Sequence, residues 1–372
     1  MRDFADLARQ ALRDSGYSMS AAARALNYDL AYVSRVLNRK QAPSENLAKA
    51  LDELVGANGE LASQVVASDA PASSDERPSL DADIARTKAS AEHLLDHADR
   101  YGADTVASAA VQVWQSAQRK LDSGSIPEKE QLPYLSAVSE SAEVAGWLLF
   151  DAGRWDAARN AFMESHMLAT HAGDRAKQWF ALDMLAMLDI ETARPGAALR
   201  IAESVLSEKR VTPRVALIAQ VRRGRALSLM GDGHRSAADL EAARVGREDS
   251  LSPRDPWWVW WISSEEVSGH AGQALLRLGE PQNAIPKLQY ALEGATPRGT
   301  LLYRSDLLRG YAELKAWGEV ESELEEIARL LGVINSGRNR HTLRETLRLI
   351  ERDNAAPAWI TSFAAEVRAS TA

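Results

Sequence analysis

The 372-residue chain contains no cysteine, which excludes disulfide bonds, thiolate zinc sites and cysteine nucleophiles. It also lacks any apolar run near the ~20 residues that a transmembrane helix needs, so we expect no membrane partner. The N-terminus lacks a basic segment followed by an apolar stretch, and we therefore expect a cytoplasmic location. No GxxxxGK[ST] loop occurs, and Gly231-Asp232-Gly233 lacks the third glycine of a dinucleotide fingerprint. The sequence therefore predicts no cofactor.

Residues with catalytic or metal-binding chemistry do not form a convincing set. His93 and His97 stand four apart on a predicted helix, a spacing that can bind zinc. However, Leu94 occupies the position where the metalloprotease pattern needs Glu, and no third ligand is evident. Carboxylates are scattered, and no Ser-His-Asp arrangement follows from spacing. We expect neither a metal site nor an enzyme.

The composition is that of a globular protein, with 45% apolar and 26% charged residues. Alternating β-branched runs are almost absent, whereas Ala, Leu, Arg and Glu recur at helical spacing. Residues 66–79 hold two prolines and four serines with almost no large apolar residue, which is typical of a flexible linker. We thus expect an all-α chain with a small domain, residues 1–65, and a large one, residues 80–372.

The large domain repeats a helix–turn–helix spacing. Its expected turn residues lie 40, 40, 46 and 39 residues apart, at Gly153, Ala193, Gly233, Gly279 and Gly318. A small or aromatic residue precedes each turn by seven positions. Alanine follows four of the five turns by five positions, and an apolar residue follows every turn by nine. The fourth unit, with Gly272, Ala284 and Leu288, is the clearest. The fifth unit departs, because Glu323 stands where a small residue is expected.

Over residues 131–335 this pattern resembles the tetratricopeptide repeat, in which small residues let paired helices cross closely. The resemblance implies a helical solenoid, with residues 80–122 and 338–370 as caps. The alternative is a generic helical bundle.

The small domain contains two short predicted helices within residues 18–37. We expect Ser20 to cap the first helix, Asn27 to end it and Asp29 to cap the second. The second helix buries Val33, Val36 and Leu37. With a preceding helix at residues 3–15 and a following one at 44–55, residues 3–60 resemble the Xre or lambda-repressor-like helix-turn-helix family. That resemblance implies an N-terminal DNA-binding domain.

The same resemblance places the second helix in the major groove of double-stranded DNA. Arg35 then suits a guanine, and Leu30 or Ala31 a thymine methyl. The chain has a net charge of −8, but residues 17–44 carry +3. A homodimer on two half-sites is expected; the alternative is a domain used only for protein contacts. The candidate DNA-binding residues are Met19, Leu30, Ala31, Ser34, Arg35, Asn38, Arg39, Lys40 and Gln41.

The first helices of stacked repeats line a concave groove, whose mixture of polar and aromatic residues suits a short peptide. Arg223 is suited to a carboxylate, and Glu140, Glu143 or Asp183 to an amine. The alternative is a solvated groove, or one that contacts the DNA-binding module. The candidate ligand-binding residues are Glu140, Glu143, Trp147, Asp183, Met187, Gln220, Arg223, Glu266 and Gln273.

Residues 255–261 hold four of the ten tryptophans, either as core filling or as a ligand or dimer surface. The stretch that continues to His270 resembles actinobacterial-type Xre regulators with tetratricopeptide repeats. In peptide-pheromone receptors of similar layout, a groove-bound peptide changes the dimer and hence DNA affinity, which implies a role in quorum sensing. We therefore expect a transcriptional regulator; the alternative is an adaptor that binds a partner protein through its repeats.

Overall fold

The computed structural model describes residues 4–26, 28, 30–39, 41, 43–66 and 80–371. Throughout these ranges the regular secondary structure is helical. None of the helices found there is both long enough and apolar enough to cross a membrane. The chain divides into two compact units, Met1–Pro78 and Ser79–Ala372. The expected linker, residues 66–79, lies almost wholly outside the described ranges.

The first unit packs its helices around one apolar core, formed by residues such as Leu12, Val33, Val36, Leu47 and Leu51. The predicted inward face of the second short helix is thus buried. Its helices are α1 (Phe4–Asp14), α2 (Met19–Ala25), α3 (Leu30–Leu37), α4 (Glu45–Val55) and α5 (Glu60–Val66).

Capping explains where two of these helices begin. Ser18, not Ser20, caps α2, and its hydroxyl accepts a hydrogen bond from the Ala21 N–H at 3.2 Å. Ser44 caps α4 in the same way, with the Leu47 N–H as donor at 3.1 Å. The expected roles of Asn27 and Asp29 fall outside the described residues.

The second unit consists largely of helical hairpins. Each hairpin pairs a first helix with the second helix that follows it, and neighbouring hairpins contact in chain order. The first helices are α6 (Leu80–Tyr101), α8 (Glu128–Asp151), α10 (Arg175–Glu191), α12 (Pro213–Leu229), α14 (Ser264–Arg277), α16 (Pro297–Glu313) and α18 (Gly337–Arg352). The second helices are α7 (Ala107–Asp122), α9 (Trp155–His171), α11 (Pro195–Leu206), α13 (Gly233–Gly246), α15 (Pro281–Glu293), α17 (Trp317–Leu331) and α19 (Ala358–Ala369).

A left-handed residue turns the chain within each of five hairpins. These residues are Gly153, Ala193, Gly231, Gly279 and Lys315, with φ between 54° and 80°. Two of them differ from the predicted turns: Gly233 instead begins α13, and Gly318 lies inside α17. The third turn therefore comes two residues earlier than predicted, and the fifth comes three residues earlier.

The corrected turns restore the regular packing of small against large residues. A Cβ on Gly146 would lie 2.5 Å from the Phe162 ring, and one on Gly272 would lie 2.7 Å from Leu288 Cγ. In the third hairpin the matching pair is Gly224 and Leu240, with a separation of 2.9 Å. In these three hairpins the two helices therefore cross closely at the residues seven positions before the turn and nine positions after it.

The fifth hairpin also fits once its turn is placed at Lys315. Leu308, Val320 and Leu324 then take the three repeat positions, and all are fully buried. Glu323 instead faces Arg304, whose Nη1 donates to its carboxylate at 2.9 Å.

The second unit closes on itself. Helix α16 contacts α6, and α18 contacts α8, in addition to the sequential contacts between first helices. At this closure the Asn335 N–H donates to the Tyr101 carbonyl at 2.6 Å, and the Asp104 N–H donates to the Asn335 carbonyl at 3.1 Å. Gly102 and Gly337 have no room for a side chain there, because a Cβ would meet the backbone of Asn335 and Ala152 respectively.

The tryptophan-rich segment forms a short 3₁₀-helix, Trp257–Trp261, rather than an α-helical face. Trp258 is buried, stacks on Phe180 with ring centroids 4.7 Å apart, and donates its Nε1–H to the Ala176 carbonyl at 3.0 Å. Trp261 is half-buried, whereas Trp257 is 54% exposed. The segment thus contributes Trp258 to the core and leaves the Trp257 indole at the surface.

Candidate functional site

The first candidate site is the exposed face of α3. Because Val33, Val36 and Leu37 are buried, helical geometry turns Arg35 and Asn38 outward. Asn38 Nδ2 donates to the Ser34 hydroxyl at 3.2 Å, and Arg35 Nε donates to the Gln41 amide oxygen at 2.9 Å. The structure thus brings four of the predicted DNA-binding residues together in one polar patch, which we call the α3 face: Ser34, Arg35, Asn38 and Gln41.

Charge at the α3 face is not neutralised locally. Within the described residues no carboxylate pairs with Arg35, whose neighbour Gln41 is uncharged. Arg39 differs, because its Nη2 lies 2.6 Å from the carboxylate of Asp6 on α1. Of these two arginines, Arg35 is therefore the better placed to meet an external group.

The remaining predicted DNA-binding residues are less informative. Met19 is half-buried at the start of α2. Lys40 and the side chains of Leu30 and Ala31 lie outside the part of the chain that the structure describes.

The second candidate site is a polar cluster between the first helices of the second unit. Its central pair joins Asp183 on α10 to Arg222 on α12, with Nε and Nη2 of the guanidinium 2.7 and 3.1 Å from the two carboxylate oxygens. Both side chains are buried. A bidentate pair of this kind fixes the orientation of the neighbouring helices.

The cluster continues through His270 on α14. Burial lowers the pKa of His270 well below its usual value, and the charges of Arg222 and Arg225 lower it further. The ring is therefore neutral near pH 7, and its Nδ1, 2.9 Å from Arg225 Nη1, accepts a hydrogen bond. Arg222 Nη1 lies 3.4 Å from the other ring nitrogen.

Two predicted ligand-binding residues on α14 take part in this cluster. Gln273 accepts from Arg225 and donates its Nε2–H to Asp306 on α16 at 2.7 Å. Burial raises the pKa of Asp306 to about 6, against the lowering effects of Gln273 and Arg225. Glu266 accepts from the Tyr303 hydroxyl at 2.9 Å. These side chains are already satisfied within the protein.

The predicted amine-binding acids are also occupied by the protein's own cations. Lys177 Nζ lies 3.1 Å from the Glu140 carboxylate, and Arg222 forms an ion pair with Asp183. Burial raises the pKa of Glu143 well above its usual value, and the charges of Glu140 and Asp183 raise it further. The raised pKa favours the protonated, uncharged form of Glu143 and so weakens any attraction of an amine by charge.

Arg223, predicted to bind a carboxylate, lies apart from this cluster. Its Nε and Nη2 lie 2.7 and 2.6 Å from the carboxylate oxygens of Asp239 on α13, so the pair joins the two helices of one hairpin. Gln220 is half-buried, and Met187 is buried in the apolar core near α8 and α9.

Sequence reasoning missed Arg222 because that residue lies nine positions before its turn, a spacing from which no candidate was taken, and it missed Arg225 because it placed the third turn at Gly233. Trp147, Met187 and Gln273 each precede their turn residue by six positions, and with Gly231 as the turn Arg225 takes that position. The spacing that identifies Arg225 was therefore present in the sequence.

Trp147 on α8 lies at the closure of the second unit, where it contacts α16 and α18. The guanidinium carbons of Arg298 and Arg338 lie 5.0 and 5.7 Å from its ring centroid, a cation–π arrangement. Beside them the fully buried carboxylate of Asp151 accepts from the Ala103 N–H, the Ser336 hydroxyl and Arg298 Nη1 at 3.1, 3.0 and 3.3 Å.

No group of three His, Asp or Glu side chains suited to a metal ion occurs in the described ranges. His97 instead lies 3.2 Å from the Thr105 hydroxyl. Comparison of the chain with known protein families finds no match, and comparison with curated proteins finds no significant similarity.

Proposed function

We propose that this chain is a DNA-binding transcriptional regulator with a ligand-sensing repeat domain. In this proposal α2 and α3 act as a helix-turn-helix, with α3 in the major groove of duplex DNA. The second unit acts as a tetratricopeptide-like domain that dimerises and responds to a small ligand, with a peptide as the first candidate.

The observation that carries the DNA-binding proposal is the exposed, locally unneutralised Arg35 on the α3 face. Arginine in the major groove recognises guanine with two parallel hydrogen bonds, and Ser34 and Asn38 beside it offer further donors and acceptors. The buried opposite face of α3 provides the rigid support that such contacts need. Arg24, exposed on α2, adds positive charge near the same helix pair.

The close packing of a glycine against a large side chain at the same two repeat positions in three of the five hairpins supports the repeat-domain part. Each hairpin buries its apolar residues against its neighbours, as solenoid repeats do. For such a domain to regulate DNA binding, the ligand must bind the active and inactive dimer forms with different affinity.

DNA binding is tested by selecting binding sites for the full chain from a random duplex library and measuring affinity at two salt concentrations. We expect selected sites whose affinity falls steeply with salt. Arg35→Ala should weaken binding by ~5- to 150-fold and relax the preference at one base pair. Arg13→Ala removes an exposed arginine from α1 and serves as the matched control, with little expected effect.

The proposal fails if no sequence is enriched, or if Arg35→Ala and Arg13→Ala behave alike. Co-purification of a partner protein together with absent enrichment would favour the adaptor. Sedimentation of the full chain then tests the homodimer separately.

A further inference from the structure

Arg338, the second residue of α18, is buried, and no hydrogen-bond partner for it is found in the described part of the chain. It is only 6% exposed, and its guanidinium carbon lies 4.8 Å from the Phe150 ring centroid and 5.7 Å from that of Trp147. Its nearest carboxylate, Asp151, is 3.8 Å from Nε and already accepts three shorter hydrogen bonds. No hydrogen-bond acceptor satisfies Nε within the described residues. Burying a charged guanidinium whose N–H donors have no acceptor lowers the stability of the fold, unless a bound ligand supplies the acceptors.

A cavity of about 130 Å³ lies beside this guanidinium. One wall of the cavity is a face of α18. Its residues are three or four positions apart and so lie on the same side of the helix: Arg338, His341, Thr342 and Glu345. The opposite wall comes from other hairpins and includes Trp155, Glu191 and Arg277. At ~30 Å³ per water molecule, the volume is that of about four waters, which suits a carboxylate with a short aliphatic chain.

The charges around the cavity favour an anion near Arg338. Glu191 has a cationic neighbour in Arg225 at 3.8 Å, and Glu345 lies 3.5 Å from the His341 ring. Arg277 lines the cavity, and no carboxylate pairs with it in the described part of the chain. The planar guanidinium of Arg338 matches the two oxygens of a carboxylate, and the Thr342 hydroxyl offers another donor.

We propose that this cavity binds the carboxylate of a small ligand, with Arg338 as the anchoring residue. The carboxylate belongs either to a free short-chain acid or to the C-terminus of a peptide. The inference deepens the proposed ligand-sensing function, and its role as a signal rests on that function. Binding itself does not depend on DNA recognition, so the two proposals fail separately.

The test titrates the full chain, without DNA, with butyrate and with its neutral isostere butyramide at constant ionic strength. Calorimetry and tryptophan fluorescence serve as readouts, because Trp155 lines the cavity and Trp147 lies under Arg338. We expect saturable binding of butyrate and none of butyramide. Arg338→Gln should weaken butyrate binding at least tenfold, whereas Arg348→Gln, an exposed change on the same helix, should leave it unaltered.

Thr342→Val provides a second variant if Arg338→Gln does not fold, and a several-fold loss of affinity is expected from it. Competition by short peptides with a free C-terminus, but not by their amidated forms, would assign the carboxylate to a peptide. Binding of free acids, with no competition by peptides, would assign the carboxylate to a free short-chain acid. The proposal is overturned if butyrate does not bind, if butyramide binds equally well, or if a folded cavity variant binds as the unmodified protein does.

Discussion

Asp151 joins three separate parts of the closure of the second unit. It ends α8, and its carboxylate joins the α6–α7 connection through Ala103, the α17–α18 connection through Ser336, and α16 through Arg298. Asp151→Ala removes all three interactions. Arg298, with a side chain 11% exposed, would then keep only Asp99 at 3.3 Å as a carboxylate partner.

The expected cost follows from what is left unpaired. Removing one partner of a buried ion pair destabilises by ~3–5 kcal/mol, because the other charge stays buried. Leaving the buried Ala103 N–H without an acceptor adds a cost of ~1–3 kcal/mol. Asp151→Asn keeps one acceptor oxygen but no charge, so we expect a smaller loss of about 1.5–3 kcal/mol.

Urea denaturation followed by tryptophan fluorescence measures this loss in the full chain. All ten tryptophans lie from position 114 onward, so the signal reports the second unit alone. Hydrogen exchange should accelerate first at the closure, in residues 335–352 and 98–107, before it changes in α11 and α12.

Asp156→Ala is the matched control, since Asp156 is exposed on α9 and a surface change should stay within about 0.5 kcal/mol. A loss below about 1 kcal/mol for Asp151→Ala, or exchange that rises evenly along the second unit, would refute the role of Asp151 in closure.

Two further predictions concern the second unit and use the same fluorescence assay. Burial raises the pKa of Asp306 from 3.8 to about 6, so its contribution to stability is fully present below pH 3.8 and is lost as the pH rises through 6. Asp306→Asn should therefore be more stable than the unmodified protein by up to ~3 kcal/mol at pH 7.5 and should lose that advantage near pH 4; a pH-independent difference would contradict this. Gly224→Ala places a Cβ 2.9 Å from Leu240 Cγ and 3.2 Å from the Ser236 carbonyl, so we expect a loss of ~1–3 kcal/mol. Gly246→Ala meets nothing within 4 Å and should be neutral or slightly stabilising; equal effects of the two changes would argue against the corrected third turn.

The helical class and the hairpin spacing could be predicted from the sequence, because the apolar period and the punctuating turns are local signals. The two misplaced turns have local causes as well. Gly231-Asp232-Gly233 offers two glycines, and only the structure shows that Gly231 is left-handed while the Asp232 side chain caps α13. In the fifth hairpin the left-handed residue is Lys315, which no glycine rule selects.

Closure of the second unit could not be predicted, because it joins residues far apart in the chain. Ser336 and Asp151 are separated by 185 positions, and no period links them. The same limit applies to the polar cluster, in which charged residues expected to meet a ligand instead pair across neighbouring first helices. Spacing assigns a residue to a face, but the partner on that face depends on the tertiary arrangement.

The interior of the second unit combines two kinds of packing with different consequences. Within three hairpins, a glycine packs closely against a large apolar side chain, and that contact tolerates little change in geometry. Between first helices, buried ion pairs such as Asp183–Arg222 contribute little net stability but fix which side chains meet. The cavity at Arg338 lies where α18 meets the other hairpins, so a carboxylate bound there contacts both sides of the closure. A form with α18 displaced would lose the Arg338 and Thr342 contacts, and the ligand would therefore favour the closed form, which is the difference in affinity that ligand sensing requires.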